Sequence, residues 1–273
     1  MTSPKERSMN KDLANRLSGY PLAIFDQLID DPEIATLQEY ANTVSIKRLG
    51  YNDHGPVHMR TVTRNAILML ELLQKAGVPT NLEKEEIGTF EDSLCAVVLA
   101  AFLHDLGMSI SREHHERSGA DIALPIMERI LQVAFPTDIP RRTLIRALAY
   151  EGIIGHMGSQ RIHSLEAGVI LVADGCDMKK GRARIPMILT QESRVGDIHK
   201  YSAAAIEDVR IVPGHNLPIR IEVDMSSSVG FFQVEEILMQ KINMSPIKPY
   251  IELCAGVNGG DIKCYMGGVT AEV

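Results

Sequence analysis

The feature that most constrains this chain is an apolar run that ends in a histidine and an aspartate. Residues 94–103 read LCAVVLAAFL and lead, without a polar spacer, into His104 and Asp105. The run is apolar on nearly every side, which is typical of a helix at the centre of a helical protein. Burying an imidazole and a carboxylate at its end is costly unless the two are paired or bind a cation. The sequence therefore predicts a polar site inside a helical core.

Helical periodicity continues on both sides of this run. Two short helices are predicted in LAIFDQLI and EIATLQEYANTVSIKRLG, and four longer ones elsewhere: HMRTVTRNAILMLELLQKAG, ERSGADIALPIMERILQVAF, PRRTLIRALAYEGIIGHMG and SLEAGVILVADGCDM. Asp92 or Ser93 is expected to cap the central helix, and Ser164 to cap the last one. No strand pattern interrupts residues 20–178, so this half is predicted to be all-α, after a loose, charged lead-in over residues 1–20.

From about residue 205 the pattern becomes alternating. DVRIVPG and PIRIEVDM predict a hairpin, FFQVEEILMQKIN has helical spacing, and IKPYIELCAGV is interpreted as a third strand. GVNGGDIKCYMGG is interpreted as turns, because it lacks the spacing and the flanking helix of a phosphate loop. The prediction is a mainly α protein with a small C-terminal α+β unit of ββαβ order. We divide the chain into a helical lead-in (1–45), a helical domain (46–200) and a small α+β domain (205–273).

Composition narrows the classes of function. The chain has 273 residues, a net charge of -7 and no tryptophan, which argues against binding long nucleic acid. The apolar run is too short to span a bilayer and the N-terminus has no apolar signal core, so we expect a cytoplasmic protein without a membrane partner. The four cysteines lie far apart and are expected to be reduced thiols: Cys95, Cys176, Cys254 and Cys264.

Most of the histidines are concentrated in the helical half. Seven of the nine lie between residues 54 and 163, and Asp105, Asp174 and Asp177 are the nearby carboxylate candidates. A lone histidine is more often a packed or surface residue than a ligand, but the set favours a metal site. Imidazole and carboxylate together suit divalent ions such as Mn, Fe, Ni, Zn or Mg. Since Cys176 is the one thiol near the set, a cysteine-type structural zinc site is disfavoured.

The order of these residues resembles the H…HD…H…H…D pattern of the HD-domain metal-dependent phosphohydrolase superfamily: His58, His104, Asp105, His115, His156 and Asp174. The segments HMRTVTRNA, AFLHDLG, HHERSGADIA and SLEAGVILVADGCDMKKGRAR are similar to segments of the HD domains of ribonuclease Y and the HD-GYP phosphodiesterases. The resemblance covers roughly residues 50–190 and implies an HD-domain helical bundle.

The resemblance also implies a dinuclear metal centre. His58, His104, Asp105 and Asp174 would hold the first ion. His115 and His156 would hold the second together with Asp105, which would bridge the two. Two such cations can clamp a phosphate and acidify a bridging water. The implied activity is hydrolysis of a phosphate ester or phosphodiester of a small molecule such as a nucleotide, through a metal-bound hydroxide, with His104 and Asp105 at the catalytic centre.

Five further residues are candidate substrate contacts: His54, His114, His163, Arg182 and Arg184. The two arginines suit phosphate because a guanidinium binds it in a bidentate way, although a solvated basic helix end explains them equally well. His54 is alternatively a loop-capping residue, His114 a solvent-exposed residue or an outer-shell donor, and His163 an ordinary residue at a helix start.

Several alternatives stay open at this point. HD-GYP and ribonuclease Y sequences usually read H-D-I-G-K, but Met108 occupies the lysine position here and there is no G-Y-P segment. A nuclease or cyclic-nucleotide phosphodiesterase would use the same ligands with a wider groove. A diiron HD-type oxygenase would share the ligands but need redox-active iron, and a non-catalytic module would keep metal or nucleotide binding alone. IRIEVDM and IKPYIELCAGV would offer sheet edges for a homodimer.

Overall fold

The structure is a computed structural model that describes residues 2–179, 198–258, 260 and 262–267. A π-helical turn (Val44–Arg48) follows the third helix, and a 3-10 turn (Leu106–Ser109) follows the sixth. The helices before residue 180 are α1 (Pro4–Ala14), α2 (Gly19–Asp30), α3 (Pro32–Thr43), α4 (Pro56–Lys75), α5 (Asn81–Lys84), α6 (Phe90–Leu103), α7 (His115–Ala134), α8 (Ile139–Gly155) and α9 (Leu165–Gly175).

The apolar run that opened the sequence argument forms α6, which lies at the centre of the bundle. Its residues from Cys95 onward are all buried, and α2, α4, α8 and α9 pack around it. In the described part of the chain, residues 90–109 are the one stretch long and apolar enough to cross a membrane, and 89% of that window is buried inside the protein. Such burial is common for the core helix of a soluble protein.

Two local predictions in this half were wrong. Thr89, rather than Asp92 or Ser93, caps α6, because Asp92 instead serves as the third residue of a capping box and accepts a hydrogen bond from the Thr89 amide at 2.9 Å. Residues 1–20 are not a loose lead-in, because they contain α1, whose buried Leu13 helps to pack it against α4. The predicted cap at Ser164 is confirmed, since its hydroxyl accepts from the Ala167 amide at 3.1 Å.

The C-terminal part folds as a four-stranded mixed sheet beside a helical segment. A helix, α10 (Ile198–Ala205), leads into strands β1 (Ile206–Pro213), β2 (Ile219–Met225), β3 (Ile251–Val257) and β4 (Ile262–Met266), which lie in that order across the sheet. The predicted β1–β2 hairpin is confirmed. The helical segment 230–244 connects β2 to β3, which is why these two strands run parallel.

Three expectations about this unit were wrong. β4 lies within the segment interpreted as turns and pairs antiparallel to β3, so the unit is ββαββ. β2 and β3, which were expected to offer edges for a homodimer, are the central strands. Cys254 and Cys264 are register partners across β3 and β4 and form a disulfide, whereas Cys95 and Cys176 are buried free thiols. The homodimer itself stays a prediction.

One hydrophobic core runs through both parts of the described chain. Ile221 of β2 and Leu253 of β3 belong to the same buried cluster as Leu99 of α6 and Val172 of α9. The division of the chain into domains stays a prediction, but the sheet unit is packed against the helices that carry the histidines.

Candidate metal centre

Five helices bring the predicted ligands together, each from one of its ends. His104 directly follows α6, and His156 directly follows α8. Asp174 lies in the last turn of α9, whereas His58 and His115 lie in the first turns of α4 and α7. Three helix C-termini therefore meet here with two N-termini, and the partial negative charge of the C-termini, which favours a cation, is only partly offset by the N-termini. All four histidines are at most 1% exposed.

Asp105 lies between two pairs of histidines. Its Oδ2 atom is 3.1 Å from His58 Nε2 and 3.4 Å from His104 Nε2. Its Oδ1 atom is 3.2 Å from His115 Nε2 and 3.4 Å from His156 Nε2. Each carboxylate oxygen thus faces the ring nitrogens of one pair, so a single side chain could contribute to two neighbouring cation sites.

The other ring nitrogen of each histidine has its own acceptor. Three of them lie against backbone carbonyls, and the fourth lies against a carboxylate: His104 Nδ1 with Ala101 O at 2.9 Å, His115 Nδ1 with Arg112 O at 2.8 Å, His156 Nδ1 with Ile153 O at 2.6 Å, and His58 Nδ1 with Asp177 Oδ2 at 2.7 Å. Because a carbonyl can only accept, Nδ1 carries the proton and the lone pair on Nε2 faces the centre. This is the tautomer that metal-binding histidines use.

Within each pair the Nε2 atoms face one another at hydrogen-bond distance. His58 Nε2 is 3.1 Å from His104 Nε2, and His115 Nε2 is 3.1 Å from His156 Nε2. Two lone pairs cannot bond to each other, so a proton or a cation must lie between them. Asp174 Oδ1, 3.3 Å from His58 Nε2, adds a second carboxylate to the first pair. These buried clusters of histidine and aspartate could hold a metal ion, and their donor set of imidazole and carboxylate fits divalent transition metals.

His54 also reaches this centre. It lies in the loop before α4, and its Nδ1 atom is 2.6 Å from Asp105 Oδ2. Asn42 accepts a hydrogen bond from the His54 amide at 3.3 Å, and a Cβ on Gly55 would overlap the Asn42 side chain. Gly55 therefore lets the loop approach closely enough to place His54 beside the cluster. The expectation that His54 contacts the substrate stays a prediction.

Of the other candidate substrate residues, the described histidines His114 and His163 do not join this group. His114 has a left-handed backbone (φ 55°) and its side chain is 80% exposed. His163 is exposed, and its amide donates to Glu151 at 2.6 Å just before the start of α9. Arg182 and Arg184 lie outside the described residues.

Local charges keep both aspartates ionised. Burial raises the pKa of Asp105, but the contacts with His104 and His54 lower it by more, so that its pKa lies well below the usual value. Burial also raises the pKa of Asp174, which the ammonium of Lys241 and then His58 bring well below the usual value. Both side chains are therefore carboxylates at neutral pH, as cation binding requires.

The metal-free protein is expected to lose stability in acid through His156. Burial lowers the pKa of His156 to about 4, from 6.5. Between these values the unfolded chain binds a proton at this residue and the folded chain does not, so the free energy of unfolding falls as the pH falls through this range. Urea titrations with a chelator at pH 7 and pH 5 measure this, and His156→Gln should give a shallower dependence. An unchanged dependence in that variant would contradict the assignment.

A cavity of about 510 Å³ opens beside the cluster. Its wall includes Tyr51 and Asn52 from the loop before α4, Arg112 after the 3-10 turn, and Gln240 and Lys241 from the C-terminal helical segment. The sheet unit therefore contributes to the same cavity as the metal-site candidates, although the sequence assigned it to a separate domain.

Sequence reasoning missed two residues of this centre. Asp177 was considered as a carboxylate but given no role, whereas its contact with Nδ1 orients His58. Lys241 was not considered at all. A signal for it existed, because it shares a helical stripe with Val234, Leu238 and Ile242, which are buried. A lysine on an apolar stripe indicates a buried partner of opposite charge.

The chain is similar to a known protein along most of its length. A protein of Methanocaldococcus jannaschii, "Uncharacterized protein MJ1020", is 41% identical over 251 residues, which is 92% of this chain and 95% of the relative. No protein-family model and no solved structure matches the chain.

Proposed function

The chain belongs to the same family as this Methanocaldococcus jannaschii protein, and we propose that it is a metal-dependent phosphohydrolase of the HD-domain superfamily. The observation that carries the proposal is the position of Asp105, whose two oxygens face two separate histidine pairs at 3.1 to 3.4 Å. A bridging carboxylate between two nitrogen-rich sites is what a dinuclear hydrolytic centre needs.

The ligand set supports two ions rather than one. His58 and His104 face one carboxylate oxygen of Asp105, with Asp174 beside His58, and His115 and His156 face the other oxygen. Bound divalent ions would supply Lewis acidity toward a phosphate and lower the pKa of a coordinated water. The chain's own contribution is to fix the tautomer of each histidine through its Nδ1 contact and to keep both aspartates ionised.

The cavity supports a small substrate. Its volume of about 510 Å³ lies within the range usual for sites that bind small molecules. Arg112 offers a guanidinium for a phosphate, while Tyr51, Asn52 and Gln240 offer an aromatic face and neutral hydrogen-bonding groups for an organic portion. The acidic chain, with its net charge of -7, disfavours a long polyanion. We therefore infer a phosphate ester or diester of nucleotide size.

The test is metal content followed by hydrolysis. Protein purified without chelator is analysed by plasma mass spectrometry, then assayed with p-nitrophenyl phosphate and bis(p-nitrophenyl) phosphate after loading with Mn, Ni, Zn, Mg or ferrous ions. We expect about two metal equivalents per chain and hydrolysis that a chelator abolishes and added metal restores. Failure to take up any of these ions would reject the enzyme proposal. Iron that consumes oxygen without hydrolysing either ester would favour the oxygenase.

A further inference from the structure

Lys241 connects the sheet unit to the candidate metal centre. It lies in the helix Met239–Met244, is 9% exposed, and comes from the part of the chain that the HD resemblance does not cover. Its Nζ atom is 2.5 Å from Asp174 Oδ2 and 2.8 Å from the carbonyl oxygen of His156. A single ammonium therefore contacts one candidate ligand of each predicted metal site.

Two glycines of α9 allow this approach. Gly168 and Gly175 are two helical turns apart and face the C-terminal helical segment. A Cβ on Gly175 would lie 3.1 Å from Lys241 Cδ, and one on Gly168 would lie 2.7 Å from Ser245 Oγ. Ser245 in turn donates a hydrogen bond to the Gly168 carbonyl at 3.0 Å. The segment is thus closely packed on the helix that carries Asp174, and Lys241 is held at a defined position.

The two oxygens of Asp174 have different partners. Oδ2 contacts Lys241, while Oδ1 faces His58 Nε2 at 3.3 Å and His104 Nε2 at 3.9 Å. Lys241 therefore does not occupy the oxygen that points at the histidines. An ammonium on the outer oxygen restricts rotation of the carboxylate, as the outer-shell partners of metal ligands do.

We propose that Lys241 is a positioning residue of the metal centre, which aims Asp174 Oδ1 at the first metal site and fixes the backbone after α8, where His156 serves the second. The C-terminal sheet unit is then part of the catalytic apparatus, because it supplies this lysine and a wall of the cavity. The inference rests on the metal centre of the proposed function, and it does not depend on which reaction the metals serve.

A simpler role for Lys241 predicts the opposite sign. If the lysine were only a counter-ion that a metal displaces, removing it would leave the negative charge of Asp174 uncompensated and would tighten metal binding. If it positions Asp174, removing it lets the carboxylate rotate and weakens binding. The direction of the change in metal affinity therefore separates the two roles.

The experiment compares three variants with wild type by calorimetric titration of metal-free protein with Mn²⁺ alone. Lys241→Met keeps the apolar stem, Lys241→Arg keeps the charge, and Lys263→Met removes an exposed lysine that contacts Glu235 on the same unit. We expect Lys241→Met to weaken Mn²⁺ binding roughly 10- to 100-fold, the usual effect of losing an outer-shell partner. Lys241→Arg should recover part of this loss, and Lys263→Met should match wild type.

Binding that is unchanged or tighter in Lys241→Met would overturn the inference, as would an equal loss in Lys263→Met. Thermal unfolding of each metal-free variant checks that it folds. If Lys241→Met does not fold, the Mn²⁺ affinity of Lys241→Arg is compared with that of wild type instead, and unchanged or tighter binding in Lys241→Arg would overturn the inference. The titration uses no substrate. If Lys241→Met weakens Mn²⁺ binding but wild type hydrolyses neither ester, the proposed reaction is rejected and this inference stands. Wild type that binds no Mn²⁺, Zn²⁺ or Ni²⁺ would reject both.

Discussion

Asp105→Asn is expected to remove metal retention and hydrolysis together. The substitution keeps the size of the side chain but replaces one of the two oxygens, so an NH₂ group must face either His58 and His104 or His115 and His156. An amide NH₂ group has no lone pair available to coordinate a metal ion, and it carries no charge. Losing even an outer-shell partner costs roughly 10- to 100-fold in metal affinity. Losing the shared carboxylate should therefore lower metal affinity more than about 100-fold, and turnover should fall with it.

The matched control for this variant is Asp121→Asn. Asp121 is exposed on α7 and accepts a hydrogen bond from Tyr150 at 3.2 Å, away from the cavity. Metal content by plasma mass spectrometry and hydrolysis of bis(p-nitrophenyl) phosphate are measured for both. If Asp105→Asn retained two metals, the carboxylate would not bridge them, and the assignment of two sites around it would have to be abandoned.

The six ligands could be proposed from the sequence because the order of these residues resembles the HD-domain pattern, which implies their roles. His104 and Asp105 end an apolar helix, and a buried imidazole and carboxylate at such a place already require a partner. The sequence did not show which oxygen of Asp105 faces which histidine, because that depends on how five helix ends meet. The structure brings the six side chains together, and whether they bind metal stays a prediction.

The sheet unit was less predictable, and for an identifiable reason. Its contribution to the site depends on Lys241, which lies 67 residues from Asp174 in the sequence, so no local pattern connects the two. β4 and the Cys254–Cys264 disulfide were missed for a different reason, because the pairing of β4 with β3 is decided by register and not by spacing alone. The sequence also could not show which histidine outside the six ligands contacts Asp105. His54 does so, and His114 does not.

Gly107→Ala is expected to cause the largest loss of stability among these changes. A Cβ at residue 107 would lie 2.0 Å from the His115 carbonyl oxygen and 2.5 Å from the Gly119 amide nitrogen. Gly119 is also confined, though less tightly, since its own Cβ would lie 3.0 Å from the His104 carbonyl oxygen. The 3-10 turn after α6 and the first turns of α7 thus touch through their backbones, and this contact sets His115 beside Asp105.

The overlap in Gly107→Ala involves backbone atoms that no side-chain rotation can relieve, so α7 must move away from the turn. We expect the free energy of unfolding to fall by more than about 3 kcal/mol, beyond the usual cost of overpacking a core, and the folded fraction to bind one metal instead of two because His115 moves with α7. Urea unfolding and metal stoichiometry measure these effects.

Gly77→Ala is the control, since its Cβ would meet no atom within 4 Å and the left-handed backbone alone should cost about 1 kcal/mol. Equal losses in the two variants would show that close backbone contact does not hold His115 in place.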